Sequence, residues 1–140
     1  MRSHGRTIVT TNGCFDLLHV GHLRYLEWAK RQGDILIVGI NSDASVRGNK
    51  GPSRPINPAR ERAEIVAALR AVDATFIFNE STPTRWLAKV KPDVHVKGAD
   101  RSMREIVERH VVKRGGGKVT LAPYVKDRST TNIIRRVKEH

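Results

Sequence analysis

A chain of 140 residues suits a single domain, long enough to bury well over half of its unfolded surface in one core. Its longest clear apolar run covers only residues 35–40 and residues 1–5 carry no apolar stretch, so neither a membrane span nor a signal peptide is expected, but a soluble, cytoplasmic protein with 1–5 as a disordered tail. The one cysteine, Cys14, makes no internal disulfide, and 26 basic against 14 acidic residues, a net of +12, suggest polyanionic partners, either nucleic acid or phosphorylated small molecules.

Residues 7–11 read as a buried strand. Asn12, Gly13, Cys14, Phe15 and Asp16 then lead through His19 and His22 into an amphipathic segment that Gly33 stops, so they occupy a strand-to-helix turn. At such a turn the free N–H groups of the first helical residues and the macrodipole favour an anion, and phosphate is the natural ligand. Gly13 allows close backbone approach or a positive φ, while His19 and His22, three residues apart, share one face of the turn. Cys14 beside two histidines also admits a zinc site, but no second Cys or His pair stands at ligand spacing.

The continuous apolar strand over 34–40 marks a parallel sheet covered on both faces. Asn41, Ser42 and Asp43 close it, and the stretch 47–55, rich in glycine, proline and cations including Lys50, is expected to be a mobile loop able to close over a ligand. Asn57 with Pro58 reads as N-cap and first position of a helix over 59–71. A strand over 74–78, a short helix capped at Thr82 and Pro83 and running to Val90, and a strand over 94–97 follow. Ser102 to Glu105 matches a capping box that opens a helix to Lys113, ended by Gly115, Gly116 and Gly117. The glycine run precedes the strand over 118–121, the reverse of a phosphate-binding P-loop. Ser129, Thr130 and Thr131 then offer hydroxyls and N–H groups at the start of a helix over 132–138. Residues 101–140 hold eleven basic against four acidic residues, but few aromatics are interleaved, which argues against a stacking platform for single strands. Five strands alternating with helices predict a Rossmann-like, doubly wound α/β domain over 1–140, with a parallel five-stranded sheet, helices on both faces and its ligand at the carboxyl ends of the strands.

The order Gly-x-Phe-Asp-x-x-His-x-Gly-His, filled by Gly13, Phe15, Asp16, His19, Gly21 and His22, resembles the cytidylyltransferase-like nucleotidyltransferases, which join a nucleoside monophosphate to a phosphorylated acceptor. Further stretches resemble the adenylyltransferases of ADP-heptose synthesis within that family. They are Asn41 to Val46, Gly51 to Pro58, Pro92 to Asp100 and Ser129 to Ile134, with Ala99 and Arg101 departing from the common pattern. The resemblance implies transfer of AMP from ATP to D-glycero-β-D-manno-heptose 1-phosphate, with Mg²⁺ accompanying the nucleotide, in a homodimer that binds neither nucleic acid nor membrane.

It also implies the roles of individual residues. His19 and His22 would stabilise the transferring phosphoryl group, with Lys50 and Arg62 as further catalytic cations that meet the triphosphate or the acceptor phosphate. Asn12, Gly13, Cys14, Phe15, Lys97, Asp100, Arg128, Ser129, Thr130 and Thr131 would line the nucleotide, and Asp16 and Asn41 the acceptor or phosphate region. Read without the family, Asp16 equally serves to hold its turn by hydrogen bonds, and an exposed helix arginine is usually a solvated charge. A cytidylyltransferase acting on glycerol 3-phosphate or a related alcohol phosphate is the nearest alternative, and a basic nucleic-acid-binding domain the alternative of another class.

Overall fold

Strands form where the sequence runs apolar and β-branched, and helices where its apolar period lengthens. The computed structural model describes residues 5–98, 106–123 and 130–139, the side chains of 130–133 excepted. Along these residues the order is β1 (Ile8–Gly13), α1 (Val20–Lys30), β2 (Ile35–Asn41), α2 (Asp43–Lys50), α3 (Ala59–Ala67), β3 (Ala74–Phe78), α4 (Thr84–Val90), β4 (Val94–Gly98), α5 (Arg109–Arg114), β5 (Lys118–Ala122) and α6 (Thr130–Glu139). All strand pairs are parallel, in the order β3-β2-β1-β4-β5. Alternation along the strands divides the core in two. Val9, Val38, Ile40, Val94 and Val96 pack with Leu26 and Ala29 of α1 and Val66 of α3, while Phe78 packs with Trp86, Leu87 and Val112 of α4 and α5. The expected doubly wound α/β domain is therefore present, with helices on both faces.

The chain steps outward from β1 to β2 to β3 and then returns to the other side of β1 as β4, which places the switch in strand order between β1 and β4. There the pairing is short. β1 keeps register with β2 from Ile8↔Ile35 to Gly13↔Ile40, but with β4 only at Val9↔Val94 and Thr10↔His95. Beyond that point the Val96 carbonyl accepts from side chains instead, the hydroxyls of Thr11 and Tyr25, each at 2.9 Å. The two strands part toward their carboxyl ends, and Asn12 and Lys97 face each other across the opening.

Four expectations are corrected. Residues 47–50 are not loop: α2 extends through them, because the Ser42 hydroxyl accepts the Ser45 N–H as N-cap and Asp43 lies in the first turn, which together carry the helix over Gly48 and Asn49 to Gly51 at φ +99°. Lys50 is thus the last residue of a helix rather than the middle of a mobile segment. Asn57 does not cap α3, since its side-chain amide donates to the Asp16 carbonyl at 2.9 Å; Pro58 takes the cap position and the Ala59 N–H is met by Asp43 Oδ1 at 2.9 Å. α3 also stops at Ala67, four residues short of the expected end. Likewise Pro83, not Thr82, holds the cap position of α4, without a side-chain bond. The capping box at 102–105 lies outside the described residues, and α5 is seen from Arg109.

Arg62 binds these parts together. It is 1% exposed. Its Nε donates to the Asn57 carbonyl at 2.8 Å, Nη1 to the Cys14 carbonyl at 2.7 Å and Nη2 to Asp43 Oδ1 at 2.8 Å, so one planar fork ties the turn after β1 to α2 and to the start of α3. The guanidinium is therefore directed into the protein, where sequence reasoning expects it at a phosphate. Arg62→Ala is expected to lose at least about 2 kcal/mol of stability in urea denaturation, since it empties a buried site and leaves two carbonyls and the half-buried Asp43 carboxylate without their donor. A loss under about 0.5 kcal/mol would describe a solvated helix arginine instead.

Candidate active site

The turn between β1 and α1 is shaped by the ring of Phe15. This residue takes φ +49°, an uncommon left-handed conformation for a bulky side chain, and turns its ring back over Gly13. A Cβ at Gly13 would lie 2.9 Å from that ring, so glycine is required there for space; its own φ is not positive.

His19 then caps α1 with an imidazole in the place where a serine or aspartate usually stands. Its Nδ1 accepts from the Gly21 N–H at 3.0 Å, while Nδ1 of His22 accepts from the His19 N–H at 3.3 Å. The two rings stack with centroids 3.8 Å apart, and the Phe15 ring meets His22 edge-on at 5.2 Å. A backbone N–H can only donate, so each Nδ1 presents a lone pair and each neutral ring carries its proton on Nε2. No acidic residue lies in the first turn of α1 to offset the positive end of the helix.

Electrostatics point the same way. Burial, then the neighbouring His19, then the charge of Lys50 push the His22 imidazole from 6.5 down to about 4. The Lys50 ammonium at the end of α2 is therefore near enough for its charge to act on His22. Burial, the largest of these causes, disfavours charge of either sign; it is the smaller contribution of the Lys50 charge, with the positive end of α1, that favours a phosphate here.

The remaining expected residues divide into frame and crevice. Asp16 is buried, which alone raises its pKa, but the Asn57 and Ile56 N–H groups, each at 2.9 Å, and Arg54 Nε at 2.8 Å outweigh burial and hold it below the ordinary value. Its carboxylate clamps 54–57 against the turn, so its hydrogen bonds run to a distant segment rather than within its own turn as the local reading expects. Cys14, half-buried, contributes its carbonyl to Arg62. Asn41 ends β2 and donates to the Ser45 hydroxyl at 3.1 Å. Lys97 stands at the switch point with Nζ 3.3 Å from Asn12 Oδ1 and 2.8 Å from Glu108 Oε1. Asp100, Arg128 and Ser129 lie outside the described residues, and Thr130 and Thr131 open α6.

Sequence reasoning missed Asp43, Arg54, His95 and Glu108. Asp43 carried a signal, a carboxylate directly after an N-cap serine, whereas Arg54 and Glu108 acquire partners only through the fold. His95 alternates with Lys97 along β4, so both face the α4/α5 side.

Both depressed histidines bear on stability. His22 and His95 bind a proton less readily folded than unfolded, in each case through burial first, so the unfolded chain takes up more protons as pH falls from 6.5 and stability drops toward about 4. The depressed carboxyls of Asp16 and Asp73 begin from 3.8 and act in a lower window. The melting temperature of the free protein is expected to fall between about pH 7 and pH 5, and to fall less in His22→Gln. An identical slope in that variant would contradict the described burial of His22.

With this geometry in place, comparison with known proteins gives one result. The chain is 51% identical over 136 residues to "Bifunctional protein HldE" of Syntrophotalea carbinolica and 52% identical over 136 residues to the protein of that name from Geobacter metallireducens. Each alignment covers 97% of this chain and 28% of the relative, so the chain spans little more than a quarter of their length. The crystal structure of the lipopolysaccharide core biosynthesis protein from Thermoplasma volcanium superposes with a TM-score of 0.72 at 29% identity, covering 87% of this chain and 98% of that one. Residues 10–136, which contain the histidine turn, the parting strands and every strand from β2 to β5, match one family pattern throughout, and the chain belongs to the cytidylyltransferase-like family.

Proposed function

We propose that the protein is an adenylyltransferase that moves AMP from ATP to D-glycero-β-D-manno-heptose 1-phosphate, giving ADP-heptose and pyrophosphate. The observation that carries the chemistry is the stacked, reciprocally capped pair His19 and His22 under the field of Lys50. The acceptor is supported by about half-identity to bifunctional HldE proteins over nearly the whole chain and by likeness to a lipopolysaccharide core biosynthesis protein.

A sugar phosphate is mostly doubly ionised near neutral pH, its second pKa being about 6, so its oxygen attacks the α-phosphorus without a dedicated base. As that P–O bond forms and the bond to pyrophosphate breaks, charge grows on the phosphoryl and bridging oxygens. The Nε2–H groups of His19 and His22, fixed in direction by their caps, donate to those oxygens, and Lys50 neutralises the departing pyrophosphate. Arg62 acts by holding the Cys14 carbonyl, hence the shape of the turn. Lys97 and Asn12 meet the nucleotide at the gap between β1 and β4, and by resemblance Asp100 meets the ribose while Arg128, Ser129, Thr130 and Thr131 meet phosphate. Asn41 faces the acceptor side.

Mg²⁺ enters with the nucleotide. The donors at the turn are imidazoles and an ammonium, suited to phosphate oxygens, while Asp16 and Asp43 are committed to Arg54, Arg62 and backbone N–H groups. Neither of these two carboxylates would hold the metal, so at this turn it would be carried by the triphosphate and water and would supply charge neutralisation there. Among the described residues no helix is long and apolar enough to cross a membrane; the reading places the enzyme in the cytoplasm as a homodimer, which light scattering tests.

Pyrophosphate release is measured with ATP, CTP, GTP and UTP, each against heptose 1-phosphate and glycerol 3-phosphate. ATP with the heptose β-anomer is expected to be fastest, and a preference for CTP would overturn the assignment. His22→Ala and His19→Ala are each expected to lower turnover about a hundred- to a thousandfold with little change in ATP affinity, because the donors act on charge that appears only in the transition state. Lys50→Ala, at an exposed helix end, should slow turnover and leave the melting temperature unchanged; equal loss of both would make the lysine structural.

A further inference from the structure

We propose that Glu108 is a positioning residue, whose buried carboxylate holds the Lys97 ammonium beside Asn12 in the gap between β1 and β4 so that it meets the nucleotide. The proposal rests on the adenylyltransferase reading for Lys97 and extends it to a residue outside every motif. Glu108 immediately precedes α5 and is 2% exposed. Its Oε1 lies 2.8 Å from Lys97 Nζ, a buried ion pair.

The other candidate partner is His95, whose Nε2 stands 3.8 Å from the same oxygen, beyond hydrogen-bond distance. Its Nδ1 is 2.8 Å from the Thr10 hydroxyl and its ring meets Trp86 at 6.0 Å. Burial first, then the Lys97 charge, keep this imidazole neutral against the pull of Glu108, while His95 and Lys97 hold the Glu108 carboxyl down at about 2 against its own burial. Glu108 is therefore ionised near neutral pH, and Lys97, at 2.8 Å against 3.8 Å for His95, is the nearer of its two partners.

A lysine is a point charge on a flexible stem and does not aim itself. Here strand alternation puts Thr10, Asn12, His95 and Lys97 on the α4/α5 face, and the ladder between β1 and β4 ends just before Asn12 and Lys97. The described partners of the ammonium are one anion from below and one neutral amide across the gap, with 11% of the side chain left exposed. A carboxylate that served only to anchor α5 would not need its cation at the one place where the sheet opens.

The test compares Glu108→Gln, Lys97→Met and the double variant by calorimetric titration with ATP and with CTP, alongside steady-state kinetics. Glu108→Gln is expected to weaken nucleotide binding and raise the nucleotide KM about tenfold with kcat little changed, and to add less than twofold in the Lys97→Met background. The double variant removes both charges together, so its comparison with Lys97→Met reads the claim even if Glu108→Gln alone folds poorly. An undiminished effect of Glu108→Gln in that background, or lowered melting temperature with unchanged nucleotide binding, would overturn the role of Glu108 whichever nucleotide binds. A wrong nucleotide assignment shows differently, as tighter CTP binding with the same pattern among the variants.

Discussion

The histidine pair exchanges hydrogen bonds with the backbone at the start of α1, and the rest of the site depends on that exchange. Each bond consumes an Nδ1 lone pair, so each ring is left with a donor at Nε2 and a fixed orientation. The same bonds satisfy two N–H groups of the first turn, leaving the positive helix end with imidazoles around it and no carboxylate of its own first turn. A serine cap would satisfy the helix equally well and give the site nothing to donate.

Keeping the cap in place requires a rigid turn before it, and that rigidity is supplied from distant parts of the chain. Phe15 is held in a strained conformation over Gly13, Arg62 grips the Cys14 carbonyl from α3, and Asp16 is clamped to 54–57. Asp43 serves twice, as partner of Arg62 and as the acceptor for the first N–H of α3. The charged groups buried here are therefore paired or hydrogen-bonded, and their arrangement sets Lys50, at the far end of α2, where its charge acts on His22.

The sheet and the histidine turn were legible in the sequence because both are local. Continuous apolar strands, glycine stops and the His-x-Gly-His order need no partner from elsewhere to be recognised. α2 was hidden by composition: Gly48, Asn49 and Gly51 read as loop, although Ser42 followed by Asp43 is a helix start and only Gly51 takes the positive φ that ends the helix. Arg62 and Asp16 were recognised as important but given phosphate or acceptor contacts, because their partners in the fold, the Asn57 carbonyl on Arg62 apart, lie 19 to 48 residues away and no spacing rule reports them. Glu108 lies in no motif, and His95 lies within the stretch Pro92 to Asp100 without a role assigned to it. Their meaning arises from where β1 and β4 part, which is a property of strand order.

The central claim is that the cap bonds fix both histidines as donors toward the bound phosphate, and ring nitrogen NMR tests it most directly. Long-range ¹⁵N–¹H correlation spectra of the free protein near neutral pH should show His19 and His22 as neutral Nε2–H tautomers, with both Nε2 signals moving on addition of a non-hydrolysable ATP analogue. An Nδ1–H tautomer at either ring, or Nε2 signals indifferent to the analogue, would contradict it.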